Sequence, residues 1–286
     1  MNEPLPQDLK VTVLGLGIMG RALAMNLHED GMLAACWNRS PRTGVPMYVE
    51  DLGEAVASAS VLFIVVIDGA AVLELVDKIS PMLTNEHIVV QTATVKPQEN
   101  IEASKRVESA GANFVEALMG GSEVAAVQRK LPLYLGGEKE LADYLDPVLA
   151  LLSPARLYVG EIGQASVAKL AMNLNLAMQL EALCESYAYA IANGLNDDQY
   201  FDVLRNNTGW NYLCEYKEPK LRQRDFAPQF ALKNMLKDVR LALATDTTRS
   251  GLSLLKATEK IYAAGDKAGL GEEDMLALYK LINDKD

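Results

Sequence analysis

The sequence has little with which to hold a metal or build a disulfide framework. It contains 2 histidines and 3 cysteines in 286 residues. His28 and His87 have no neighbouring His, Cys or carboxylate pattern, so no His-based metal site is expected. Cys36, Cys184 and Cys214 are scattered and odd in number, without metal-ligand spacing, which points to a reduced, cytoplasmic protein. Long hydrophobic runs are missing too: the longest, Val61 to Ile67, is far too short to span a bilayer. The stretch Met1 to Lys10 has neither the basic start nor the apolar core of a secretory signal. Positive charge is scarce. Lys+Arg 27 against Asp+Glu 38 leaves a net charge of −11, which repels nucleic acid and anionic membranes. The remaining composition, 50% hydrophobic and 23% charged, is ordinary for a soluble globular enzyme, and the length suits two domains or one large one.

The first informative stretch is Lys10-Val-Thr-Val-Leu-Gly15, a short buried strand that runs into Gly15-Leu16-Gly17-Ile18-Met19-Gly20 and then a helix. This is G-x-G-x-x-G in the strand–turn–helix context that dinucleotide binding requires. Gly15 allows the tight turn, Gly17 lets backbone approach a pyrophosphate, and Gly20 lets helix pack on strand. The plainer reading is a glycine turn that only packs a helix on a strand. The next strand, Leu33 to Trp37, ends in Asn38-Arg39-Ser40. An NAD site usually places an acid here for the ribose 2′-hydroxyl. Here the acid is absent and Arg39, a planar fork for phosphate, is present with Ser40 as a second donor, which favours NADPH. The competing reading of Arg39 is a solvated loop cation.

Farther along, Val61 to Asp68 reads as a continuous buried parallel strand whose end, Val66 and Ile67, should lie near the adenine ribose half of the cofactor. Strands and helices alternate to about Gly160, which gives an α/β fold with a doubly wound, parallel Rossmann sheet over residues 1–161. Leu131 to Gly137 reads as a strand or hairpin arm. From 162 to 286 the pattern is all-helical, with helices expected at about 196–206, 234–245, 252–268 and 272–282. Thr208 to Tyr212 breaks them and places Trp210 and Tyr212 in a loop.

The two halves are joined by a long helix expected from about Gln164 to Asn193. Gly163 suits the loop that enters it, and Gly194 suits its C-terminal cap. Leu170, Leu174, Ala177 and Leu180 recur at helical spacing, so one face packs. Lys169 and Asn173 are four apart and lie one above the other. Two readings stand: they point to water, or they line a cleft between two domains.

With these stretches in hand, the chain resembles the β-hydroxyacid dehydrogenases, which include 3-hydroxyisobutyrate dehydrogenase and the glyoxylate/succinic semialdehyde reductases. The similarity covers nearly the whole chain in the same order. Gly15, Gly17, Met19 and Gly20 meet the family's first motif, and Asn38-Arg39-Ser40 its NADP-type turn. Ala93-Thr94-Val95 looks like its turn after the fourth strand. Gly160, Gly163, Ala165, Lys169 and Asn173 meet its catalytic motif, and Lys237-Asp238-Val239-Arg240-Leu241-Ala242 is similar to its late motif. One motif departs: where the family usually reads Asp-Ala-Pro-Val-Ser-Gly-Gly, this chain reads Glu116-Ala117-Leu118-Met119-Gly120-Gly121-Ser122. Gly120 replaces the serine whose hydroxyl grips the substrate carboxylate, and Ser122 is a candidate to supply one from a shifted position. The related imine reductases also depart in this loop but lack the catalytic lysine.

The resemblance implies an NADPH-dependent reductase or dehydrogenase of a small carbonyl or hydroxy acid, and a homo-oligomer, either dimer or tetramer. Lys169 is then the acid in reduction and the base in reverse, and Asn173 holds the substrate oxygen in register. Thr94 and Lys237 join the cofactor set, although Lys237 could equally be a surface ion-pair partner of Asp238 or Glu215. Gly120, Gly121 and Ser122 form the substrate loop. Trp210 is a pocket-wall candidate, against the plainer reading of core or interface. Reduction of C=N bonds is the alternative activity, and a non-catalytic NADPH sensor the alternative to any activity.

Overall fold

A computed structural model describes residues 9–283, so the first eight residues of the Met1–Lys10 stretch lie outside it. The chain divides into two compact units, Met1–Lys169 and Leu170–Asp286. The division falls inside a helix whose first turn is bonded to the sheet.

The first unit runs β1 (Val11–Leu14), α1 (Ile18–Glu29), β2 (Leu33–Trp37), α2 (Leu52–Ala57), β3 (Val61–Ile64), α3 (Gly69–Ile79) and β4 (Ile88–Gln91). It continues α4 (Pro97–Ser109), β5 (Asn113–Met119), α5 (Glu123–Val127), β6 (Leu133–Gly136), α6 (Lys139–Leu152) and β7 (Arg156–Gly160). The strands form one seven-stranded sheet in the order β2-β1-β3-β4-β5-β6-β7. Alternate strand residues feed opposite layers. Val61 and Phe63 pack with Leu23 and Leu27 of α1 and Leu145 and Leu149 of α6. Leu62 and Ile64 pack with Val72 and Val76 of α3 and Ala103 and Val107 of α4. A strand covered on both faces has no polar side, which is why Val61 onward reads as an unbroken apolar run.

Two expectations change here. The sheet is not wholly parallel, since β6 pairs antiparallel with β5. Its connection from β5 carries only the five-residue α5, too little for a full crossover, so it returns as a hairpin arm. And β3 ends at Ile64: Val65 keeps one bond to the Leu14 carbonyl (2.9 Å), Val66 and Ile67 lie beyond the strand, and Asp68 caps α3 by accepting from the Ala71 N–H (2.9 Å).

The second unit takes most of α7 (Gln164–Ala192), then α8 (Asp197–Arg205), α9 (Tyr212–Gln223), α10 (Leu232–Ala244), α11 (Ser253–Gly265) and α12 (Tyr279–Ile282). Among its described residues no strand forms beyond an isolated bridge between Ala231 and Asp274. Tyr187 stands at its centre, its ring centroid 5.1 Å from Tyr200, 5.5 Å from Phe201 and 5.3 Å from Tyr279. The sequence pattern misses α9, and the cause is chemical. Beside Leu213, Cys214 and Leu221, its inward face buries three charged residues, each with a partner. Lys217 bonds Asp274 at 2.7 Å with both side chains buried. Lys220 bonds Asp225 at 2.7 Å, and Glu218 takes Arg222 at 2.7 Å and also Arg205. Tyr212 is accordingly the first residue of a helix capped by Asn211, and not a loop aromatic. The helix expected over 272–282 starts late for a related reason. The buried Asp274 accepts from the backbone N–H groups of Gln229 (2.9 Å) and Leu276 (3.0 Å), which fixes it as a cap. Among the described residues no helix is long and apolar enough to cross a membrane.

Candidate active site

The chain leaves β1 for β2 on one side and crosses to β3 on the other, so the strand order reverses between β1 and β3. Ligands of such sheets bind at that point, outside the carboxyl ends of the strands. Gly15–Gly20, Asn38–Ser40, Val66–Ile67, Thr94 and Gly120–Ser122 follow β1, β2, β3, β4 and β5 in turn, so the sheet sets them along one edge.

The three glycines are needed for different reasons. A Cβ on Gly15 would lie 2.2 Å from the Val65 carbonyl oxygen, and Gly15 itself has φ +111. A Cβ on Gly20 would lie 1.9 Å from the Gly15 carbonyl oxygen. These two are glycine because the protein's own backbone fills the space. Gly17 is different: a Cβ there meets nothing within 4 Å, so no neighbour in the chain explains it. It is also the N-cap of α1, with no side-chain cap and no acidic residue in the first turn, whereas Asp51, Asp68, Asn196 and Asn211 cap other helices with their side chains. An open glycine before uncapped N–H groups suits an anion that approaches backbone closely. Asn38 fixes this loop, accepting from the Leu16 N–H at 2.9 Å while donating to the Ser40 carbonyl at 2.8 Å. Arg39 is exposed and makes a 3.6 Å contact with Glu74, itself half-exposed. So exposed a pair is screened by water and exchanges readily for a phosphate. Two large apolar side chains, Ile18 and Ile67, stand exposed on the same edge.

A second feature was not legible as a motif. Glu116 on β5 is fully buried and receives the start of α7. Its Oε2 accepts from the N–H groups of Gly163 (2.8 Å) and Ala165 (3.2 Å), and its Oε1 from the Ser166 hydroxyl (3.0 Å) and from Asn100. Asn100 also donates to Ser166 Oγ (2.8 Å), and accepts from Gln91, whose amide donates to the Ala93 carbonyl (3.1 Å). One carboxylate thereby satisfies donors that a helix start leaves over, and joins the Ala93–Val95 turn to the first turn of the Lys169 helix. Burial pushes the Glu116 carboxyl above its usual range, against the pull of Asn100, Gly163, Ser166 and Ala165. Gly136 makes room for it, since a Cβ there would meet Glu116 Oε2 at 2.4 Å.

Lys169 is buried at 6% exposure and Asn173 at 5%, so neither is a solvated helix residue. Asn173 Nδ2 donates to Asp238 Oδ2 at 2.6 Å, which leaves the Asn173 carbonyl as an acceptor. Asp238, read along the chain only as part of the late motif and as a candidate partner of Lys237, ion-pairs with Lys237 at 3.2 Å and also holds Asn173. Trp210 is partly buried against the helical core, with the Arg205 guanidinium 5.7 Å from its ring. Among the described residues no group of His, Cys, Asp or Glu side chains is arranged to hold a metal.

Two family models match successive stretches of this chain. Residues 10–160 match the NAD binding domain of 6-phosphogluconate dehydrogenase, and 163–282 match the NAD-binding domain of NADP-dependent 3-hydroxyisobutyrate dehydrogenase. The chain belongs to the β-hydroxyacid dehydrogenase family. As a member it is an oxidoreductase of the NAD(P)-dependent hydroxyacid dehydrogenase type, with a nicotinamide-dinucleotide-binding Rossmann domain. Glyoxylate/succinic semialdehyde reductase 1 of Arabidopsis thaliana is 26% identical over 96% of this chain and 98% of its own length. The 3-hydroxyisobutyrate dehydrogenase of Mycobacterium tuberculosis shares the fold with a TM-score of 0.88, at 24% identity over 97% of this chain and 100% of the other. An imine reductase of Bacillus cereus shares it more loosely, with a TM-score of 0.61 at 20% identity over 96% of this chain and 99% of the other.

Proposed function

We propose that this family member is an NADPH-dependent reductase of a small carbonyl acid, such as a semialdehyde or glyoxylate, with Lys169 as its general acid. The observation that carries the reading is a buried lysine one helical turn from a buried asparagine whose amide is already committed to Asp238. A lysine kept from water is costly unless it has work or partners there. When bound, the nicotinamide cofactor supplies the hydride to a carbonyl carbon or takes it back from an alcohol. Charge then gathers on the substrate oxygen, and Lys169 donates the proton it needs; in oxidation Lys169 takes that proton away. Asn173, held by Asp238, presents its carbonyl to the ammonium or the substrate hydroxyl and keeps both in line. Gly15–Gly20 receives the diphosphate, with Val66, Ile67, Thr94 and Lys237 as further cofactor contacts. Arg39 and Ser40 receive a 2′-phosphate, which is the basis for choosing NADPH over NADH. Gly120, Gly121 and Ser122 border the substrate, and Trp210 is kept as a wall residue. We further propose a homodimer or homotetramer, and a cytoplasmic location, which suits three buried free thiols.

The deciding experiment is Lys169→Ala assayed with NADPH on succinic semialdehyde and glyoxylate. NADPH affinity should hold while turnover falls by about two to four orders of magnitude, the usual worth of a positioned acid. Unchanged turnover removes the mechanism. Reduction of C=N bonds is favoured as a second reading by the altered Gly120 loop, and a screen of cyclic imines with NADPH separates it from the first.

A further inference from the structure

The loop after β5 lacks a side chain at Gly120, and the neighbouring strand fills the gap. The Gly120 N–H donates to the Pro132 carbonyl at 2.8 Å, which carries the β5–β6 ladder one step past the Met119–Leu133 pair. A Cβ built on Gly120 would lie 2.8 Å from Pro132 Cγ, 3.0 Å from the Tyr134 hydroxyl oxygen and 3.4 Å from Tyr134 Cζ. The Pro132 contact is closer than real Cβ atoms come and the Tyr134 contact is at the tight limit, so a side chain at 120 would press the proline ring and crowd the phenol.

Tyr134 faces Leu118 across the antiparallel pair, which puts it on the same side of the sheet as Glu116 and Gly136, where the first turn of α7 is held. It is partly buried, and among the described residues its hydroxyl makes no hydrogen bond. A half-desolvated phenol normally finds a partner. Here it stands unpartnered beside the carboxyl end of β5, on the edge where an α/β sheet takes its ligands. We propose that Tyr134 is the hydroxyl donor to the anionic group of the substrate, supplying from β6 the hydroxyl that Gly120, which has no side chain, does not carry. The inference rests on the carbonyl-acid reading above and adds a specificity residue to it. Burial raises the phenol above its ordinary value near 10, so it remains a neutral donor throughout the working range. A donor that reaches in from the next strand, on a ring with few rotatable bonds, places the anion by shape as well as by charge.

The test is Tyr134→Phe, which keeps the ring and removes only an unbonded oxygen. With NADPH, KM is measured for succinic semialdehyde, which carries a carboxylate, and for butyraldehyde, which has the same chain length without one. The variant should raise KM for succinic semialdehyde by at least about tenfold, the scale of one hydrogen bond to a charged group, and leave both KM for NADPH and the butyraldehyde kinetics unchanged. An unchanged KM for succinic semialdehyde overturns the assignment. So does an equal loss on both aldehydes, which would make the phenol a partner of the carbonyl instead of the anion. If the unaltered enzyme reduces neither aldehyde, the carbonyl-acid reading fails and the assignment falls with it.

Discussion

Glu181 makes the helical unit sensitive to pH in a direction opposite to most carboxylates. It lies on α7 at 7% exposure, between core residues Leu180 and Leu183, and its Oε2 has no hydrogen-bond partner among the described residues. The buried Tyr262 hydroxyl in the same unit is likewise unpaired. Burial, and then the charge of Glu185 one turn on, raise the Glu181 carboxyl from 4.5 to about 7. The folded chain therefore holds this proton more tightly than the unfolded chain. Its favourable contribution is complete below about pH 4.5 and is lost as pH rises through about 7. Moving a carboxyl that far corresponds to roughly 3 kcal/mol above both values, which solvent screening of Glu185 reduces to about 2 kcal/mol. Glu181→Gln cannot ionise. Urea unfolding at one fixed protein concentration should find the variant about 2 kcal/mol more stable than the parent at pH 8 and close to it at pH 4.5. A stability difference that stays constant between pH 5 and 8 would show that Glu181 is not the titrating group, and would refute the reasoning.

Other consequences are open to direct measurement. Gly17→Ala should fold with unchanged thermal stability, since its Cβ meets nothing, yet bind NADPH at least about tenfold more weakly; Gly20→Ala, with a 1.9 Å clash against Gly15, should lose several degrees in Tm as well. Arg39→Ala should raise KM for NADPH by about tenfold or more and leave KM for NADH nearly unchanged; equal effects on both would return Arg39 to the status of a surface cation. Breaking the buried Lys217–Asp274 pair with Lys217→Met should cost about 3–5 kcal/mol in denaturant unfolding, because Asp274 is left charged and unpaired. Adding Asp274→Asn should recover part of that loss; an additive double variant would count against the pair.

The parts of the molecule that could be read along the chain are those whose physics is local. A glycine turn between strand and helix, the alternation of strands and helices, the missing acid after β2 and the Lys169–Asn173 spacing each lie within a few residues of one another. Where residues meet across long separations, reading along the chain fails. Helix α9 hides because its buried face carries Lys217, Glu218 and Lys220, and their partners stand elsewhere in the fold. Glu116 passes for a variant of an acid in a substrate motif until the fold brings Gly163, Ala165, Ser166 and Asn100 around it.

By itself, then, the amino-acid order determined the class of fold, the place of the dinucleotide loop and the helix that bears the candidate acid, since backbone conformation and helical spacing depend on near neighbours. Only the tertiary structure decided that β6 turns back on β5, that Asp238 holds Asn173, and that Tyr134 occupies the space Gly120 leaves. Those outcomes depend on which side chains share a volume. That is a matter of excluded space and paired charge between residues far apart in the chain, and no local pattern encodes it.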